Sequence, residues 1–295
     1  MNLLKPPGMT SSDAVVDVRR LLHEKKAGHT GTLDPGATGV LPICLGRATR
    51  LFDYLVDKEK EYRAEITFGL STDTLDAYGR VTEKAETCVT ESELESALKR
   101  FLGEQAQFPP AYSAVKVNGK KLCELARKGE TEAELRARMV TISAIRLLDR
   151  TGPQSFLIDV RCSRGTYIRT LCSDIGKALS APAYMSFLLR MRSGRFKIQD
   201  ALTIQELAEA AEAQNVGELL TGVEEALDFL PAVEIDERWL DKLKNGNPSP
   251  KEMVIGHVEG KNPLRVYCAG EFFGVGELFN GELRMRTMLY QNQRR

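Results

Sequence analysis

The sequence has little that would carry it into or across a membrane. Its first residues, MNLLKPPGMTSSD, lack the basic start and the apolar run of a signal peptide. No later stretch approaches the roughly 20 apolar residues that a membrane-spanning helix needs. Hydrophobic residues make up 42% of the chain and charged residues 28%, as in ordinary globular proteins. We therefore expect a cytoplasmic protein with no membrane partner.

Paired cysteines and clustered metal ligands are also missing. The six cysteines are scattered singly, with no Cys-x-x-Cys pair and no histidine at ligand spacing. Neither a disulfide framework nor a zinc site is indicated, so we interpret the cysteines as reduced and mostly buried thiols. We expect no metal.

A phosphate-binding loop is absent too, although one glycine-rich stretch is present. Gly28 to Gly39 read GHTGTLDPGATG, with four glycines and three threonines around one histidine and one aspartate. A P-loop would end in Gly-Lys-Ser or Gly-Lys-Thr, and one histidine with one aspartate is too few for a metal. Pro35 favours an extended Asp34, so this carboxylate is held by a stiff frame. By composition alone, such clusters are usually turns.

The net charge is zero, but the charges are segregated along the chain. From Arg161 to Lys197 there are eight basic residues and one acid, Asp174, whereas from Asp200 to Glu237 there are eleven acids and no base. Each block alone is compatible with a solvated face. Side by side, they favour one surface that contacts phosphates and another that stays clear of them.

The glycine-rich stretch resembles the signature of the TruB family, bacterial enzymes that convert uridine 55 of the tRNA T loop to pseudouridine. The opening KPPGMTSSD is similar to the family's amino-terminal motif, which packs under the active site and here contains Lys5, a residue that we assign to substrate binding. The resemblance implies that Asp34 is the catalytic carboxylate. It also implies that His29 contacts the T loop around the flipped target.

Further segments extend the resemblance. KEYRAEITFGLSTDTLDAYG aligns the family's active-site tyrosine, which stacks on the target base, with Tyr62. Alternation over Glu61 to Phe68 independently predicts a strand with Tyr62 facing inward, where a core tyrosine is the simpler interpretation. Asp73 and Asp76 follow, and we interpret both as turn formers bonded to nearby backbone.

CSRGTYIRTLCSDIG resembles the family segment that supplies a second active-site tyrosine and an arginine paired with the catalytic aspartate. These roles fall on Tyr167 and Arg169, which would share one face if the residues after Gly165 were extended. The family's apolar residue that precedes an arginine and lines the uracil pocket aligns with Leu189. We assign the arginine that follows, Arg190, to the RNA backbone.

Residues from about 108 to 130 resemble the family's thumb, a segment that closes on the RNA stem-loop. Asn118-Gly119 between two extended runs predicts a hairpin, and a short helix is expected over Leu122 to Gly129. The resemblance implies phosphate contacts from five basic residues: Lys116, Lys120, Lys121, Arg127 and Lys128.

Helix starts are indicated by capping signals. Ser11 or Ser12 is expected to cap a first helix, and Thr90 and Thr203 each begin a capping box. After Pro231 the chain turns to short apolar runs broken by glycine, asparagine and proline, which are typical of a small β-barrel. It resembles the PUA-like domain of bacterial family members.

These observations predict an α+β pseudouridine-synthase fold. A catalytic domain with a mainly antiparallel sheet is expected over residues 1–230, followed by a PUA-like RNA-binding barrel over 231–295. The resemblance implies that the chain breaks the N1–C1′ bond of a flipped uridine and joins C5 to C1′, which requires no cofactor. The expected partner is the tRNA T stem-loop, bound by a monomer with no obligate protein partner.

Two alternatives remain at this stage. A glycoside hydrolase would use Asp34 together with Asp73 or Asp76, on either side of one sugar bond. An RNA chaperone would use the same surface to fold tRNA without chemistry.

Overall fold

Two β-sheets organise the chain, one built mainly from residues before 200 and the other from residues after 230. The computed structural model describes residues 1–56, 58–113, 115–117, 119–122, 136–256 and 262–290. The strands are β1 Asn2–Lys5, β2 Ala27–His29, β3 Thr38–Leu45, β4 Lys60–Phe68, β5 Leu70–Thr72, β6 Val81–Lys84, β7 Gly103–Gln107, β8 Lys116–Val117, β9 Lys120–Lys121, β10 Arg138–Arg150, β11 Ser155–Cys162, β12 Ala183–Ser193, β13 Phe196–Lys197, β14 Ala232–Ile235, β15 Ser249–Pro250, β16 Val254–Ile255, β17 Leu264–Cys268, β18 Glu271–Phe279 and β19 Glu282–Met288.

The described helices are shorter elements placed around these sheets. They are α1 Ser11–Leu21, α2 Phe52–Val56, α3 Glu91–Lys99, α4 Ile168–Ala178, α5 Ile204–Glu212, α6 Val223–Ala226 and α7 Leu240–Lys244. Single 3-10 turns occur at Gly46–Leu51, Ile198–Asp200, Val216–Leu219, Glu237–Trp239 and Lys251–Met253. No helix in the described part of the chain is long and apolar enough to span a membrane.

The first sheet has the order β1-β3-β12-β4-β11-β10-β7, with β2 and β13 paired at its side. All of its pairs are antiparallel except β3 with β12. Strand β4 alternates strictly between buried and partly exposed residues, because one face packs on the core and the other is solvated. The predicted strand, the inward direction of Tyr62 and the α+β class are therefore confirmed.

The capping predictions are correct for α3 and α5 and wrong by one residue for α1. Thr90 and Thr203 each form the predicted capping box. Helix α1 is capped by Thr10, whose hydroxyl accepts from the Asp13 N–H. The Asp13 carboxylate accepts from the Thr10 N–H in return. Ser11 lies inside the helix instead, where its hydroxyl both donates to and accepts from the Leu33 backbone.

The second sheet curves into a nearly closed barrel with the order β15-β19-β18-β17-β14-β16. Its core is separate from that of the first sheet and includes Val233, Leu243, Val266 and Phe273. Alternate residues of β17 are buried, since the inner face of a small barrel is filled by side chains. The prediction of a PUA-like barrel is confirmed.

The predicted hairpin is present in the thumb segment. Strands β8 and β9 pair antiparallel, and Gly119 in the turn between them has a φ of +82°. The helix expected over Leu122 to Gly129 lies outside the described residues after Leu122, and so do Arg127 and Lys128.

Candidate active site

A large cavity opens between strands β4 and β12, the loop after β2 and the start of helix α4. Its volume is about 840 Å³, and Asp34 lies in its wall. Four of the other residues predicted for the site, His29, Tyr62, Tyr167 and Arg169, also line it. The structure therefore brings together residues that are far apart in the sequence.

The loop that carries Asp34 is held by hydrogen bonds to its backbone rather than by regular structure. The Ala37 N–H donates to the Asp34 carbonyl at 3.0 Å and closes a tight turn. The carbonyl of Pro35 accepts from the Gly8 N–H, which links the loop to the KPPGMT segment. Lys5 Nζ reaches the same carbonyl at 3.3 Å. These contacts fix the backbone at Asp34 and immediately after it.

Asp34 forms an ion pair with Arg169. Arg169 Nε lies 3.0 Å from Asp34 Oδ2, and Arg169 Nη1 lies 3.5 Å from Asp76 Oδ2. The guanidinium also donates to the carbonyls of Thr74 and Tyr112. Its side chain is 5% exposed, whereas that of Asp34 is 39% exposed. The arginine is therefore fixed from four sides while the catalytic candidate opens into the cavity.

Burial raises the pKa of Asp34 above its ordinary value, because a carboxylate loses hydration in the cavity wall. The positive charge of Arg169 acts in the opposite direction, and the negative charge of Asp76 raises the pKa further. The ionised form of Asp34 therefore depends on Arg169.

Arg169 reaches this position from a helix, not from the extended segment that the sequence predicted. Helix α4 begins at Ile168, so Arg169 lies in its first turn and Tyr167 is the residue that caps it. Tyr167 is fixed by Gln107, whose side chain accepts from the Tyr167 N–H at 2.8 Å and donates to the Tyr167 carbonyl at 3.1 Å. The prediction that Tyr167 and Arg169 share one face of an extended segment is therefore wrong.

Lys5 does not line the cavity, so its assignment to substrate binding is corrected: it lies under the loop. It is fully buried, and Nζ donates to the carbonyls of Pro6 and Met9 at 2.8 Å each. Burial lowers the pKa of Lys5 to about 8, although the charge of Asp34 opposes this change. Lys5 thus contributes a positive charge beneath Asp34 and supports the loop backbone.

Tyr62 and His29 lie on the strands that border the cavity. Tyr62 is 8% exposed, and burial raises the pKa of its phenol. Burial and the charge of Arg190 both lower the pKa of His29, which favours the neutral imidazole. His29 Nδ1 is buried and has no hydrogen-bond partner among the described residues.

Leu189 does not line the cavity, and Leu188 does. Leu188 pairs with Ala64 and Leu189 with Arg63 on the neighbouring strand β4. Since Ala64 points to the same face as Tyr62, Leu188 shares that face and Leu189 points away. The assignment of Leu189 to the pocket wall is therefore corrected by one residue.

Arg190 is not placed to contact the RNA backbone. It is 1% exposed, and Nε donates to the Val40 carbonyl at 2.7 Å. Its two terminal nitrogens donate to the carbonyls of Gly31 and Thr32 in the loop that carries Asp34. Arg190 therefore holds the loop from inside the protein, because its guanidinium donors are occupied by backbone carbonyls.

Most of the basic block from Arg161 to Lys197 is also engaged within the protein. Arg161 and Arg192 both pair with Glu59 and Glu61. Arg195 pairs with two acids of the following acidic block. Arg164 is different: it is exposed, lines the cavity and has no ion pair in the part of the chain that the structure describes. The expected basic surface is thus much smaller than the sequence suggested.

Three residues at or beside the site were not predicted from the sequence. The sequence indicates only a turn former at Asp76, and its Oδ1 does accept from the Thr74 hydroxyl and the Tyr78 N–H. Lys60 is buried in the cavity wall, where Nζ donates to the Val56 carbonyl. Gln107 fixes Tyr167, and no local pattern distinguishes it from other strand residues.

The described residues contain no group of three or more His, Cys, Asp or Glu side chains that could hold a metal ion. The chemical groups that line the cavity include two carboxylates that share Arg169, four tyrosines and a neutral histidine. Such a site can stabilise a reacting sugar or base by charge and by stacking.

Two family models match the chain. The amino-terminal domain of the TruB family pseudouridylate synthases matches residues 19–168. The carboxy-terminal domain of tRNA pseudouridylate synthase B matches residues 169–228, which end before the barrel begins.

Curated relatives match over nearly the whole chain. The tRNA pseudouridine synthase B of Caldanaerobacter subterraneus is 48% identical over 292 residues, covering 98% of this chain and 98% of that protein. The protein of the same name from Bacillus pumilus is 46% identical over 272 residues, covering 90% and 88%. That of Symbiobacterium thermophilum is 51% identical over 249 residues, covering 83% and 81%.

Solved structures share the fold. One chain of a Cbf5-Nop10-Gar1 complex superposes with a TM-score of 0.74 at 28% identity, covering 95% of this chain and 78% of that one. A chain from an H/ACA RNP bound to a substrate RNA containing 2′-deoxyuridine has the same TM-score at 25% identity, covering 99% and 84%.

Proposed function

The chain belongs to the TruB family of pseudouridylate synthases, and from this we propose that it converts uridine 55 in the T loop of tRNA to pseudouridine. The reaction breaks the N1–C1′ bond, turns the uracil and joins C5 to C1′. N1 gains a proton and C5 loses one, so the product is an isomer of the substrate.

One observation carries the proposal at the level of the site: the half-exposed carboxylate of Asp34 opens into the cavity and pairs with the buried Arg169 at 3.0 Å. A carboxylate must be ionised to assist cleavage of a bond at C1′. Because burial alone favours the protonated acid, the arginine is what keeps this group charged. Arg169 is therefore a positioning residue for Asp34.

The target uridine must leave the folded T loop to reach this carboxylate, at a cost of a few kcal/mol. Tyr62 is placed to stack on the extruded base, and Leu188 to wall the pocket from the same face of the sheet. His29 stands at the cavity as a neutral group, able to occupy the loop that the base has vacated. Tyr167 completes the wall from the start of α4.

The two parts of the chain that carry the two sheets would have different roles. We assign catalysis to residues 1–230, which contain every group just named, and additional RNA binding to the barrel over residues 231–295. The thumb, about residues 108 to 130, would then close on the stem-loop with its lysines.

A glycoside hydrolase fits the site less well. That reaction needs a second carboxyl group free to exchange a proton with the substrate. Asp76 is 14% exposed, with Oδ1 bound to Thr74 and Tyr78 and Oδ2 facing Arg169. Asp73 accepts the Arg80 N–H in a turn and does not line the cavity.

The experiment is to incubate the protein with an unmodified tRNA transcript and to map pseudouridine at single-nucleotide resolution. We expect one pseudouridine per tRNA, at position 55, and none in a transcript with cytidine at that position. A folded protein that binds the tRNA and forms no pseudouridine would support an RNA chaperone instead. Pseudouridine at other positions only would refute the proposed site.

A further inference from the structure

Three exposed aromatic residues surround the mouth of the cavity. Phe52 is 39% exposed, Tyr78 76% and Phe187 42%, and all three line the cavity. Single exposed apolar side chains are common on protein surfaces and need no explanation. Three rings around one opening form a concentrated apolar rim, which is typical of a binding surface.

Tyr78 is the most exposed of the three and lies against the catalytic loop. Its backbone N–H donates at 3.0 Å to Oδ1 of Asp76, which lies two residues earlier in the chain and contacts Arg169 through its other oxygen. The outer end of the ring lies over Gly36: a methyl group at Gly36 would be 2.0 Å from Tyr78 Cε2. Glycine at position 36, two residues from Asp34, therefore leaves the space that the ring occupies.

The phenol hydroxyl of Tyr78 has no hydrogen-bond partner in the described part of the chain. A buried tyrosine normally satisfies its hydroxyl and packs its ring in the core. Tyr78 does neither, so core packing does not explain its position. Its ring is instead supported by the loop and open to whatever enters the cavity.

We propose that Tyr78 stacks on the base of a nucleotide adjacent to the target uridine. This inference rests on the proposed function, because it requires an RNA whose target base enters the cavity. Extrusion of the target removes a stacking partner from each neighbouring base, and a ring at the mouth of the cavity can replace it. An aromatic side chain can stack on any of the bases, and each such stack contributes substantially to the binding free energy.

The test compares three T stem-loop RNAs: the intact hairpin, one with an abasic residue immediately 5′ of the target, and one with an abasic residue immediately 3′ of it. The variants are Tyr78→Ala, Tyr78→Leu and Tyr78→Phe. Tyr78→Leu keeps apolar bulk on the loop without an aromatic face. Phe279→Ala is the matched control, since Phe279 is 60% exposed and does not line the cavity.

On the intact hairpin, Tyr78→Ala and Tyr78→Leu should each raise the Kd about tenfold, whereas Tyr78→Phe and Phe279→Ala should stay within about twofold of wild type. On one of the two abasic RNAs, the penalty of Tyr78→Ala should disappear, because the stacked base is already missing. Unchanged melting temperatures of the free variants exclude a folding effect.

An equal penalty on all three RNAs would overturn the inference, since the ring would then act by supporting the loop. A wild-type Kd of Tyr78→Ala or of Tyr78→Leu on the intact hairpin would also overturn the inference. Pseudouridine formation by the wild-type protein on the intact hairpin is measured in parallel. If the wild-type protein forms no pseudouridine, the proposed function is refuted. If it forms pseudouridine and Tyr78→Ala binds the RNA with the wild-type Kd, only the stacking role is refuted.

Discussion

The charge of Asp34 is set by two neighbours with opposite effects. Burial keeps the pKa of this carboxyl above its ordinary value, while Arg169 lowers it and Asp76 raises it further. Arg169 contacts both carboxylates through different nitrogens. The ionisation of Asp34 is therefore a property of the three residues together.

Replacement of Asp76 by asparagine should make Asp34 easier to ionise. The pKa of Asp34 falls when a nearby negative charge is removed, and Arg169 is then shared with no other acid. Activity that requires the carboxylate is lost as pH falls through the pKa of Asp34, so the acid limb should move to lower pH. The measurement is the single-turnover rate of pseudouridine formation against pH.

Asp73→Asn is the matched control for this experiment. It lies in the same turn, but its carboxylate accepts the Arg80 N–H and forms no ion pair with Arg169 in the described residues. Its acid limb should coincide with that of the wild type. An acid limb of Asp76→Asn that stays in place or moves to higher pH contradicts the assignment.

The predictions for Asp76 and Leu189 differ from the structure, and each difference has a physical cause. The dual role of Asp76 is invisible in the sequence, because one oxygen forms a local turn while the other contacts an arginine more than 90 residues away. The family resemblance places Leu189 rather than Leu188 in the pocket wall, because Leu189 is the apolar residue directly before Arg190 and the resemblance does not show which leucine faces Tyr62. A bulge between Met185 and Phe187 shifts the pairing of β12, so the direction of a side chain cannot be counted from the sequence alone.

At the scale of elements, the loop that carries Asp34 depends on the pairing of strand β3 with strand β12. Gly39, at the start of β3, has a φ of +117°, a conformation that favours glycine. A methyl group there would lie 2.3 Å from the Arg190 carbonyl oxygen. The close approach allows Arg190 to reach under the loop and bind its carbonyls.

Gly39→Ala should therefore destabilise the protein and displace Arg190. The strained backbone alone costs about 1 to 3 kcal/mol, and separation of the two strands adds to this. The expected result is a melting temperature several degrees lower, together with slower pseudouridine formation. Gly28→Ala is the control, because a methyl group at Gly28 would meet no atom within 4 Å beyond its chain neighbours. Equal melting temperatures for both variants would contradict this account.

Elements and helix starts with local signals were predictable, whereas the start of helix α4, which has no capping signal, was not. Strand β4 alternates, and α3 and α5 begin with capping boxes, so neighbouring residues determine them. Helix α4 begins after Tyr167 without any side-chain cap. Nothing in the sequence therefore marked the helix start that places Arg169.

At the scale of the whole molecule, long-range ion pairs change the charge distribution that the sequence suggests. Arg195 of the basic block pairs with Glu225 at 2.7 Å and with Asp228 at 3.0 Å, both in the acidic block. The two blocks partly neutralise one another in the fold. The separate basic and acidic surfaces expected from the sequence are thus not formed by these residues.

The affinity for RNA should respond to Arg164 and much less to Arg195. A cation that neutralises one phosphate contributes about 0.9 to the log-log salt slope on duplex and about 0.7 on single strands. Arg164→Ala should lower the slope by about this amount, because its side chain is exposed at the cavity. Arg195→Ala should leave it nearly unchanged. Binding constants for the T stem-loop at several salt concentrations test this, and the opposite order of the two variants would refute it.

The two sheets are also joined beside the cavity. Arg47 and Arg50 donate to the carbonyls of Leu289 and Met288, and Leu51 packs against Val275 of the barrel. The same segment continues into α2, whose Phe52 and Val56 line the cavity. The barrel therefore supports one wall of the site, a contact that composition could not reveal.

In the proposed reaction, the Asp34 carboxylate carries the chemistry. Asp34→Asn keeps the volume of the side chain and removes its charge, while Tyr62, His29 and Leu188 remain to bind the extruded base. The direct measurement is the rate of pseudouridine formation in a T stem-loop by the folded variant, with the Kd for the same RNA measured in parallel.

Pseudouridine formation should be abolished while the Kd stays close to that of the wild type. A rate within about tenfold of wild type corresponds to a barrier change of only about 1.4 kcal/mol. Such a rate, in a variant that binds the RNA normally, would contradict the role assigned to Asp34.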